Sequence, residues 1–564
     1  MSKISEKIKG LPSMAMGIFN DVKDHWKVPK KGDYVSYKEF VYLVLGVSGN
    51  NSYSCFANYI FFAAGCLLVG SIYGIAYKDI YYIGLIGMPL GYIMTPINML
   101  VTDNLGDLPK KSGRSVNAIC IPMLIIGIIC YFIPQIFTES FMPALPQIVG
   151  TILTSSVFNV YFKMFVLKKL AGKFGKFRCW IVAGVVPAMI MVALIIYIPF
   201  EKNIMPYYTK LWVLHLLFSY FGIFNVFSGQ VGNIQNVISP STEERTKIIS
   251  YGSLLWSAIP SLVLMILPVF ASMSGGFTNI LTYRTVFPPF MAVFAGITLI
   301  VAFKVHDKVL LEKNHKPQIN FIEGSKSVMK NKYFWITNIS ALMNCVTAGS
   351  VAMLNIFFIY VTRQDWLMGV YAGIVGTAYV PGMLLAPFII KRVGKRNLML
   401  MSKVIGIVSL IGSIIAINTN AVVLFIVINY LCTLFMSPTS IATQAMGADQ
   451  WDYQQYLTGE RLDGFSGIFG LILNPITTLG GYLIPFLYAL VGFTSDWDIM
   501  YVPELRFKII TITAIVSLAA GILSMIPYFF YDLTEEKHKK IIETLTQRAE
   551  EKEEENAQQA SVEV

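Results

Sequence analysis

Ala171-Gly-Lys-Phe-Gly175-Lys-Phe-Arg178 and Ile390-Lys-Arg-Val-Gly394-Lys-Arg396 are two short basic loops, and each lies between long apolar segments. The glycines Gly175 and Gly394 are 219 residues apart, so the repeat divides the chain into two related halves. Two helical halves that rock about a central site are typical of secondary transporters. The repeat therefore bears on function as well as on fold.

The composition indicates a membrane protein. Hydrophobic residues make up 55% of the 564-residue chain, charged residues 14%, and the mean hydropathy is +0.60, which excludes a series of soluble domains. Apolar runs near the length of a bilayer-spanning helix recur along the chain. The sequence predicts an all-α integral membrane protein with about fourteen transmembrane helices, twelve core helices plus a pair inserted within about 80–165. The fourteen runs lie near 53–77, 80–101, 116–136, 145–165, 179–199, 211–234, 249–272, 285–303, 334–360, 368–390, 399–417, 420–440, 464–491 and 508–531.

The basic residues are distributed very unevenly between the two faces that these helices define. One face receives 36 Lys and Arg residues and the other receives seven, and Lys163 is the one such residue in the middle of a span. Because cytoplasmic loops are enriched in Lys and Arg, we expect both termini in the cytoplasm and a multi-pass protein of the plasma membrane. The net charge of +11 is then explained by topology, and no nucleic-acid partner is expected.

Five regions follow from this pattern. They are an N-terminal segment 1–52, a transmembrane half 53–304, a linker 305–333, a second transmembrane half 334–531 and a charged tail 532–564. No region resembles a catalytic or nucleotide-binding domain, and the seven cysteines have no metal-ligand spacing. We therefore expect no enzyme activity, no catalytic residues, no cofactor and no metal.

Three loops resemble those of a known family. Gly175-Lys-Phe-Arg178-Cys-Trp180, Glu243-Glu-Arg245-Thr and Ala448-Asp449-Gln-Trp-Asp452-Tyr are similar, in this order, to loops of the glycoside–pentoside–hexuronide:cation symporters, the melibiose-permease group of the major facilitator superfamily. The third loop continues to Arg461. The resemblance covers about 40–531 and implies a two-half helical carrier that works by alternating access.

The loop charges suggest a cytoplasmic gate. Basic and acidic groups at helix ends can pair between the halves when that side is closed, and several weak pairs together can bias a two-state equilibrium. The gate candidates are Lys176, Arg178, Glu244, Arg245, Lys391, Arg392, Arg396, Asp449, Asp452 and Arg461.

The chain departs from the family where intramembrane carboxylates are expected. The positions that align with those carboxylates read Ser156, Val160 and about Ser228, and no Asp or Glu lies deep in any predicted span. A buried cation needs strong oxygen ligands, so cation coupling is doubtful. Neutral amides and aromatic rings remain, and they suit the hydroxyls and apolar face of a sugar. The substrate-binding candidates are Asn58, Asn159, Tyr161, Asn225, Gln230, Trp256, Asn344, Asn355, Tyr379 and Asn474.

Two ionisable residues lie within predicted spans and are the coupling candidates. Lys163 can pair or reach toward the interface, and His215 is the candidate for proton coupling. The sequence thus predicts a carrier for a neutral sugar, glycoside or oligosaccharide, working as a proton or cation symporter or as a uniporter. The alternatives are a carrier of lipids such as lysophospholipids and a non-transporting membrane sensor. The expected partners are the small-molecule substrate, a proton or cation, and the lipid bilayer.

Overall fold

The computed structural model describes most of the chain. Side chains of some residues inside the helices, among them Asn58 and Arg245, lie outside the description, as do Lys176 and Arg461 entirely. The described residues are 20–60, 67–76, single positions between 78 and 101, 110–133, 144–175, 177–202, 204–235, 238–239, 242–306, 326–347, 352–458, 468–493, 497–545 and 547–548.

The chain forms two compact units. Unit 1 comprises Met1–Ile75 and Pro89–Lys313, and unit 2 comprises Ala76–Met88 and Asn314–Val564. The described residues contain helices and no strand. The longer helices of unit 1 are α1 (Tyr37–Ile60), α2 (Lys110–Phe132), α3 (Leu145–Phe162), α4 (Arg178–Tyr197), α5 (Tyr207–Ser228), α6 (Thr242–Met273) and α7 (Phe287–Lys304). A π-helical turn, Lys163–Leu167, and a short helix, Lys168–Phe174, continue α3.

Unit 2 has the same all-helical character. Its helices are α8 (Lys332–Asn344), α9 (Leu367–Thr377), α10 (Tyr379–Val393), α11 (Lys395–Asn418), α12 (Val422–Met436), α13 (Pro438–Thr458), α14 (Ile468–Gly481), α15 (Leu483–Leu490), α16 (Pro503–Phe529) and α17 (535–545).

Apolar side chains cover the outside of these helices. Among the described residues, nine helices are long and apolar enough to cross a membrane. In the span Gly113–Phe132 only 17% of the most apolar window is buried inside the protein, so the rest of its apolar surface needs a lipid environment. The all-α membrane class is confirmed, whereas the count of fourteen helices stays a prediction.

The two basic loops that contain Gly175 and Gly394 have the same backbone geometry. Gly175 has φ 85° and ψ 179°, and Gly394 has φ 81° and ψ 156°. In both loops the glycine N–H donates to the carbonyl four residues earlier, at 2.9 Å, and the helix ends there. A positive φ at the end of a helix favours glycine because it has no Cβ. The sequence repeat is therefore also a structural repeat.

A second pair of equivalent positions is occupied by a tyrosine in each unit. Tyr73 follows the π-helix Leu67–Ile72, and Tyr360 lies in the π-helix Ile356–Val361. The Tyr73 carbonyl accepts a hydrogen bond from Lys210 Nζ at 2.7 Å, and the Tyr360 carbonyl accepts one from Arg506 Nη1 at 3.1 Å. The tyrosine and the loop glycine are 102 residues apart in unit 1 and 34 apart in unit 2, so unit 1 holds 68 more residues in this interval. That length suits two helices, and their insertion stays a prediction.

Two helix boundaries differ from the sequence-based expectation. The first helix begins at Tyr37 and not near residue 53. Its polar first turn has low hydropathy, so a search for apolar runs misses it, although the turn is part of the helix. Helix α13 extends through Thr458 across a stretch, 441–462, that was expected to be a loop. Ala, Gln and Met are good helix formers whatever their hydropathy, so a search for apolar runs misses this helix. Asp449 and Asp452 therefore lie on a helix.

Helices α4 and α5 cross very closely. A Cβ added at Gly184 would lie 2.6 Å from the Phe224 carbonyl oxygen and 2.6 Å from the Ser228 nitrogen. Such an approach of two backbones is possible only with glycine at the crossing, as is common between membrane helices. This contact fixes the helices that carry Trp180 and Ser219.

Candidate functional site

Unit 1 contains a half-open cavity of about 390 Å³. It lies between α3, α4 and α5, and residues three or four positions apart on α5 share its wall, as the helical period requires. The cavity is lined by Asn159, Lys163, Trp180, Ser219, Gly222, Ile223, Val226, Phe227 and Gln230. Three of the predicted functional residues, Asn159, Lys163 and Gln230, are thus brought together.

Asn159 provides an available hydrogen-bond acceptor in this cavity. Its Oδ1 is buried and accepts no hydrogen bond from any residue that the structure describes. A buried amide oxygen is normally hydrogen-bonded, so this atom can accept from a hydroxyl of a bound molecule. Gln230 lies on the same cavity and adds an amide with donor and acceptor capacity.

Lys163 brings a positive charge to the cavity wall. The residue is 6% exposed and is the first residue of the π-helical turn that interrupts the long helix. Its Nζ donates to Asn98 Oδ1 at 3.2 Å and lies 5.7 Å and 5.9 Å from the ring centroids of Trp180 and Phe227. Aromatic faces attract an ammonium group, and π-helical turns are frequent at functional sites.

Trp180 gives the cavity its aromatic wall. It packs edge-on against Phe227, with ring centroids 5.1 Å apart and an interplanar angle of 81°. Trp180 belongs to a loop motif in the sequence, and that motif does not predict its place in the cavity. Its position two residues into α4, after the basic loop, was the available signal.

Unit 2 contains a second half-open cavity, of about 310 Å³. Asn344 is the one predicted substrate residue on it, and its Nδ2 donates to the Ser340 carbonyl at 3.2 Å. Lys403, which falls in the predicted span 399–417, lies within α11 and lines this cavity. The lining residues are Thr337, Ser340, Ala341, Asn344, Met399, Lys403, Thr443, Met446, Gly447, Gln450 and Tyr528.

The two cavities share a chemical character. Each is lined by amides, hydroxyls, aromatic rings and one lysine, and no carboxylate is among the described residues that line them. No group of His, Cys, Asp and Glu side chains suited to a metal ion occurs in the described part of the chain. Both cavities therefore suit a polar organic molecule better than a hard cation.

The other predicted substrate residues lie elsewhere. The Tyr161 hydroxyl donates to Asn117 Oδ1 at 3.2 Å, which joins α2 to α3. The Trp256 ring packs over Gly252, and Asn355 is 2% exposed. The Asn225 and Asn474 carbonyls accept hydrogen bonds from hydroxyls on their own helices. Tyr379 is the first residue of α10. The Asn58 side chain lies outside the described residues.

His215 lies on the α5 face that lines the unit 1 cavity. It precedes Ser219 by one turn, and the Ser219 hydroxyl donates to the His215 carbonyl at 2.8 Å. Its Nε2 is buried and has no hydrogen-bond partner among the described residues. A proton bound there would lie one helical turn from the cavity wall.

In unit 1, the gate candidate Glu244 is held by the N-terminal segment. It is 7% exposed, and its Oε1 accepts from the backbone N–H of Tyr34 at 3.1 Å and of Val35 at 2.8 Å. Ser239 donates its hydroxyl to Oε2. Arg178 donates Nη1 to the Ala302 carbonyl at 3.4 Å. Backbone donors of this kind leave no signal in a sequence.

In unit 2, the acidic gate candidates are paired with Lys395 and His538, which are not among the predicted gate residues. Asp449 forms an ion pair with Lys395, and His538 Nε2 lies 2.9 Å from Asp452 Oδ2 and 3.6 Å from Asp449 Oδ1. Arg396 donates to the Tyr528 and Phe529 carbonyls at the end of α16. Lys391 and Arg392 are exposed, while Lys176, Arg461 and the Arg245 side chain lie outside the described residues.

Apolar lipid-facing helices, around polar cavities whose described lining holds no carboxylate, define a multi-pass membrane carrier of a small polar molecule. Residues 144–535 match the family model described as MFS/sugar transport protein, and the chain belongs to that family. It is therefore a secondary transporter of the sugar-transport class, and the resemblance drawn from its loops is confirmed. The lipid-carrier and sensor alternatives are not favoured.

Three relatives agree with this assignment. The chain is 21% identical over 407 residues to the glucuronide carrier protein homolog of Escherichia coli (strain K12), covering 70% of this chain and 86% of that protein. It is 25% identical over 300 residues to the isoprimeverose transporter of Lactiplantibacillus pentosus, covering 48% and 59%. It is 20% identical over 402 residues to the uncharacterized symporter YnaJ of Bacillus subtilis (strain 168), covering 68% and 82%. Each relative is named as a carrier, transporter or symporter.

Proposed function

We propose that the protein carries a neutral sugar or glycoside across the plasma membrane by alternating access, and that the unit 1 cavity binds it. The observation that carries this proposal is the buried Asn159 Oδ1, unpartnered among the described residues, in a cavity whose described lining has no carboxylate. Asn159 and Gln230 would bond sugar hydroxyls, and the Trp180 ring would cover the apolar face of the sugar.

Replacement of Asn159 tests the proposal. Asn159→Ala removes one acceptor for a sugar hydroxyl, and a net hydrogen bond of about 1 kcal/mol corresponds to roughly fivefold weaker apparent affinity. The matched control is Asn429→Ala, since Asn429 bonds Ser413 and the Phe425 carbonyl and lines neither cavity. Uptake of radiolabelled methyl glycosides into proteoliposomes gives the apparent affinity. An equal loss of apparent affinity in both variants would show that the cavity does not bind the substrate.

A second substrate class is favoured by Lys163. An ammonium on the cavity wall, beside an aromatic surface, suits a glycoside that carries a carboxylate. A relative named as a glucuronide carrier homolog supports this class. Competition between methyl β-D-glucoside and methyl β-D-glucuronide separates the candidates. If the protein prefers the glucuronide and Lys163→Met loses that preference, the proposed substrate is an acidic glycoside and not a neutral one.

We propose further that transport depends little on sodium. A sodium site within the membrane normally includes a carboxylate, and the described lining of both cavities offers only neutral oxygens. His215 is the candidate for proton coupling. Uptake with sodium replaced by choline, measured with and without a pH gradient, tests both statements. A large sodium requirement would contradict the proposal, and indifference to both gradients would indicate a uniporter.

The proposed orientation places both termini and the linker 305–333 in the cytoplasm. The uneven distribution of Lys and Arg supports it. Cysteines introduced into the linker should resist a membrane-impermeant maleimide in intact cells and react after permeabilisation. Efficient labelling from outside would show that the orientation is the reverse of the proposed one.

A further inference from the structure

The C-terminal segment 532–548 forms an integral part of unit 2. Leu533 is 3% exposed and Ile541 is 5% exposed, and both belong to a buried cluster with Tyr333, Leu398 and Tyr528. A solvated charged tail would not bury apolar side chains in this way, since burial of an aliphatic side chain is a main source of stability. Helix α17 is therefore docked on the unit.

The beginning of this segment is held by charges. Asp532 lies 2.7 Å from Lys332 Nζ and 2.8 Å from Lys537 Nζ. Burial alone would raise the pKa of the Asp532 carboxyl, but hydrogen bonds from Lys332 and Lys537 outweigh it and hold that pKa below its usual value. Lys537 also donates to the Tyr333 hydroxyl at 3.0 Å. The start of α17 is thus tied to the start of α8.

The same segment contacts the second basic loop. Glu535 Oε1 accepts the backbone N–H of Lys395 at 3.0 Å, at the N-terminal end of α11 where a negative charge is favourable. Lys395 in turn pairs with Asp449 on α13. The loop of the repeat therefore links the tail to α13.

Three points of contact follow one face of α13. His538 contacts Asp449 and Asp452, and Arg548 donates Nη1 to the Tyr456 carbonyl at 2.9 Å. The Arg548 guanidinium also lies 5.1 Å from the centroid of the Tyr456 ring. Positions 449, 452 and 456 are spaced by three and four residues, so they lie on one face of the helix.

Helix α13 also forms a wall of the unit 2 cavity. Thr443, Met446, Gly447 and Gln450 line the cavity, and Gln450 directly follows Asp449 in the chain. One rigid helix therefore carries the contacts of the tail at its C-terminal end and the cavity wall at its centre.

We propose that segment 532–548 is an intramolecular restraint that clamps α13 and thereby slows the transport cycle. A contact made in one conformation stabilises that conformation, and a carrier that must leave it for each turnover then cycles more slowly. Release of the segment frees α13 and speeds turnover. The inference holds for any substrate that the carrier moves.

Two variants release the segment by different means. His538→Ala removes the imidazole between Asp449 and Asp452, and Ile541→Asp places a carboxylate in the apolar cluster. The matched control is Lys539→Ala, whose side chain is exposed. Amide hydrogen exchange of the full-length protein in nanodiscs, followed in peptides from 438–458 and 535–545, reports the restraint without a substrate.

Both variants should exchange at least tenfold faster in both peptides, while the control exchanges as the wild type does. The initial rate of glycoside uptake at saturating concentration should rise at least twofold. Faster exchange in 535–545 with 438–458 unchanged would show that the tail does not restrain α13. Unchanged exchange in both peptides, or slower uptake by a released variant, would also overturn the proposal. Because exchange needs no substrate, the exchange outcomes are independent of the proposed sugar.

Discussion

The substitution Gly184→Ala tests how the unit 1 cavity is built. Gly184 lies one turn after Trp180 on α4, at the crossing with α5. The added methyl group would lie 2.6 Å from the Phe224 carbonyl oxygen, 2.6 Å from the Ser228 nitrogen and 2.7 Å from Phe227 Cβ. Two of these atoms are backbone atoms of α5, so rotation of a side chain cannot relieve the contact.

The geometry sets the size of the effect. Ordinary van der Waals contacts begin at 3.4 Å, so the helices must separate by about 0.8 Å at this point. Overpacking of this kind destabilises by about 1–3 kcal/mol. With an unfolding entropy of about 2.1 cal/mol/K per residue, a chain of 564 residues loses roughly 1 °C in Tm for each kcal/mol. Separation of α4 from α5 also moves Trp180 away from Ser219, which should weaken substrate binding.

Thermal unfolding in detergent and apparent uptake affinity in proteoliposomes measure these effects. The matched control is Gly296→Ala in α7, where an added Cβ has no atom within 4 Å. Alanine at such a position should be neutral or stabilising by up to about 1 kcal/mol. A Tm for Gly184→Ala equal to that of Gly296→Ala, with unchanged affinity, would refute the close crossing of α4 and α5.

Three further predictions follow. Gly394→Ala should lower the Tm, because φ 81° is strained for alanine by about 1–2 kcal/mol, whereas Gly376→Ala, with open space around it, should not. For the second substrate class, the acidic glycoside, Lys163→Met should weaken binding of a glucuronide at least tenfold and leave the affinity for a neutral glucoside within about twofold. Competition uptake measures both, and equal losses would mean that Lys163 serves the structure of the site. His215→Gln should abolish any stimulation of uptake by an inward proton gradient, and unchanged stimulation would exclude His215 as the coupling group.

The sequence predicts the fold well where hydropathy and backbone geometry act together. Glycine at positions 175 and 394 is required by a positive φ at the end of a helix, and the basic residues around it mark the loop. Helix α13 shows the opposite case, in which the sequence does not predict the helix. Its second half is polar, and the helix as a whole has only a weak amphipathic pattern. Its helicity depends on packing against its neighbours and on good helix formers, and neither gives a long apolar run.

The candidate site is less accessible from the sequence. Asn159 and Lys163 could be connected because they are four residues apart on one helix. Trp180, Ser219 and Lys403 could not be placed, since their position depends on how separate helices pack. The contact of Glu244 with the N–H groups of Tyr34 and Val35 leaves no trace in residue type. Tertiary packing and backbone donors thus account for what the sequence leaves open.

The contacts of the acidic gate candidates change the interpretation of the proposed gate. Glu244 in unit 1 and the Asp449–Asp452 pair in unit 2 are each engaged by a terminal segment of the chain, through the N–H groups of 34–35 and through His538. Hydrogen bonds to a charged group contribute about 1.5–3 kcal/mol each, so ion pairs between the halves would have to replace contacts of considerable strength. A gate built on these carboxylates is therefore in competition with both termini. Closing that gate and releasing the terminal segments would then be a single event, and the tail variants change its equilibrium without replacing a residue that lines either cavity.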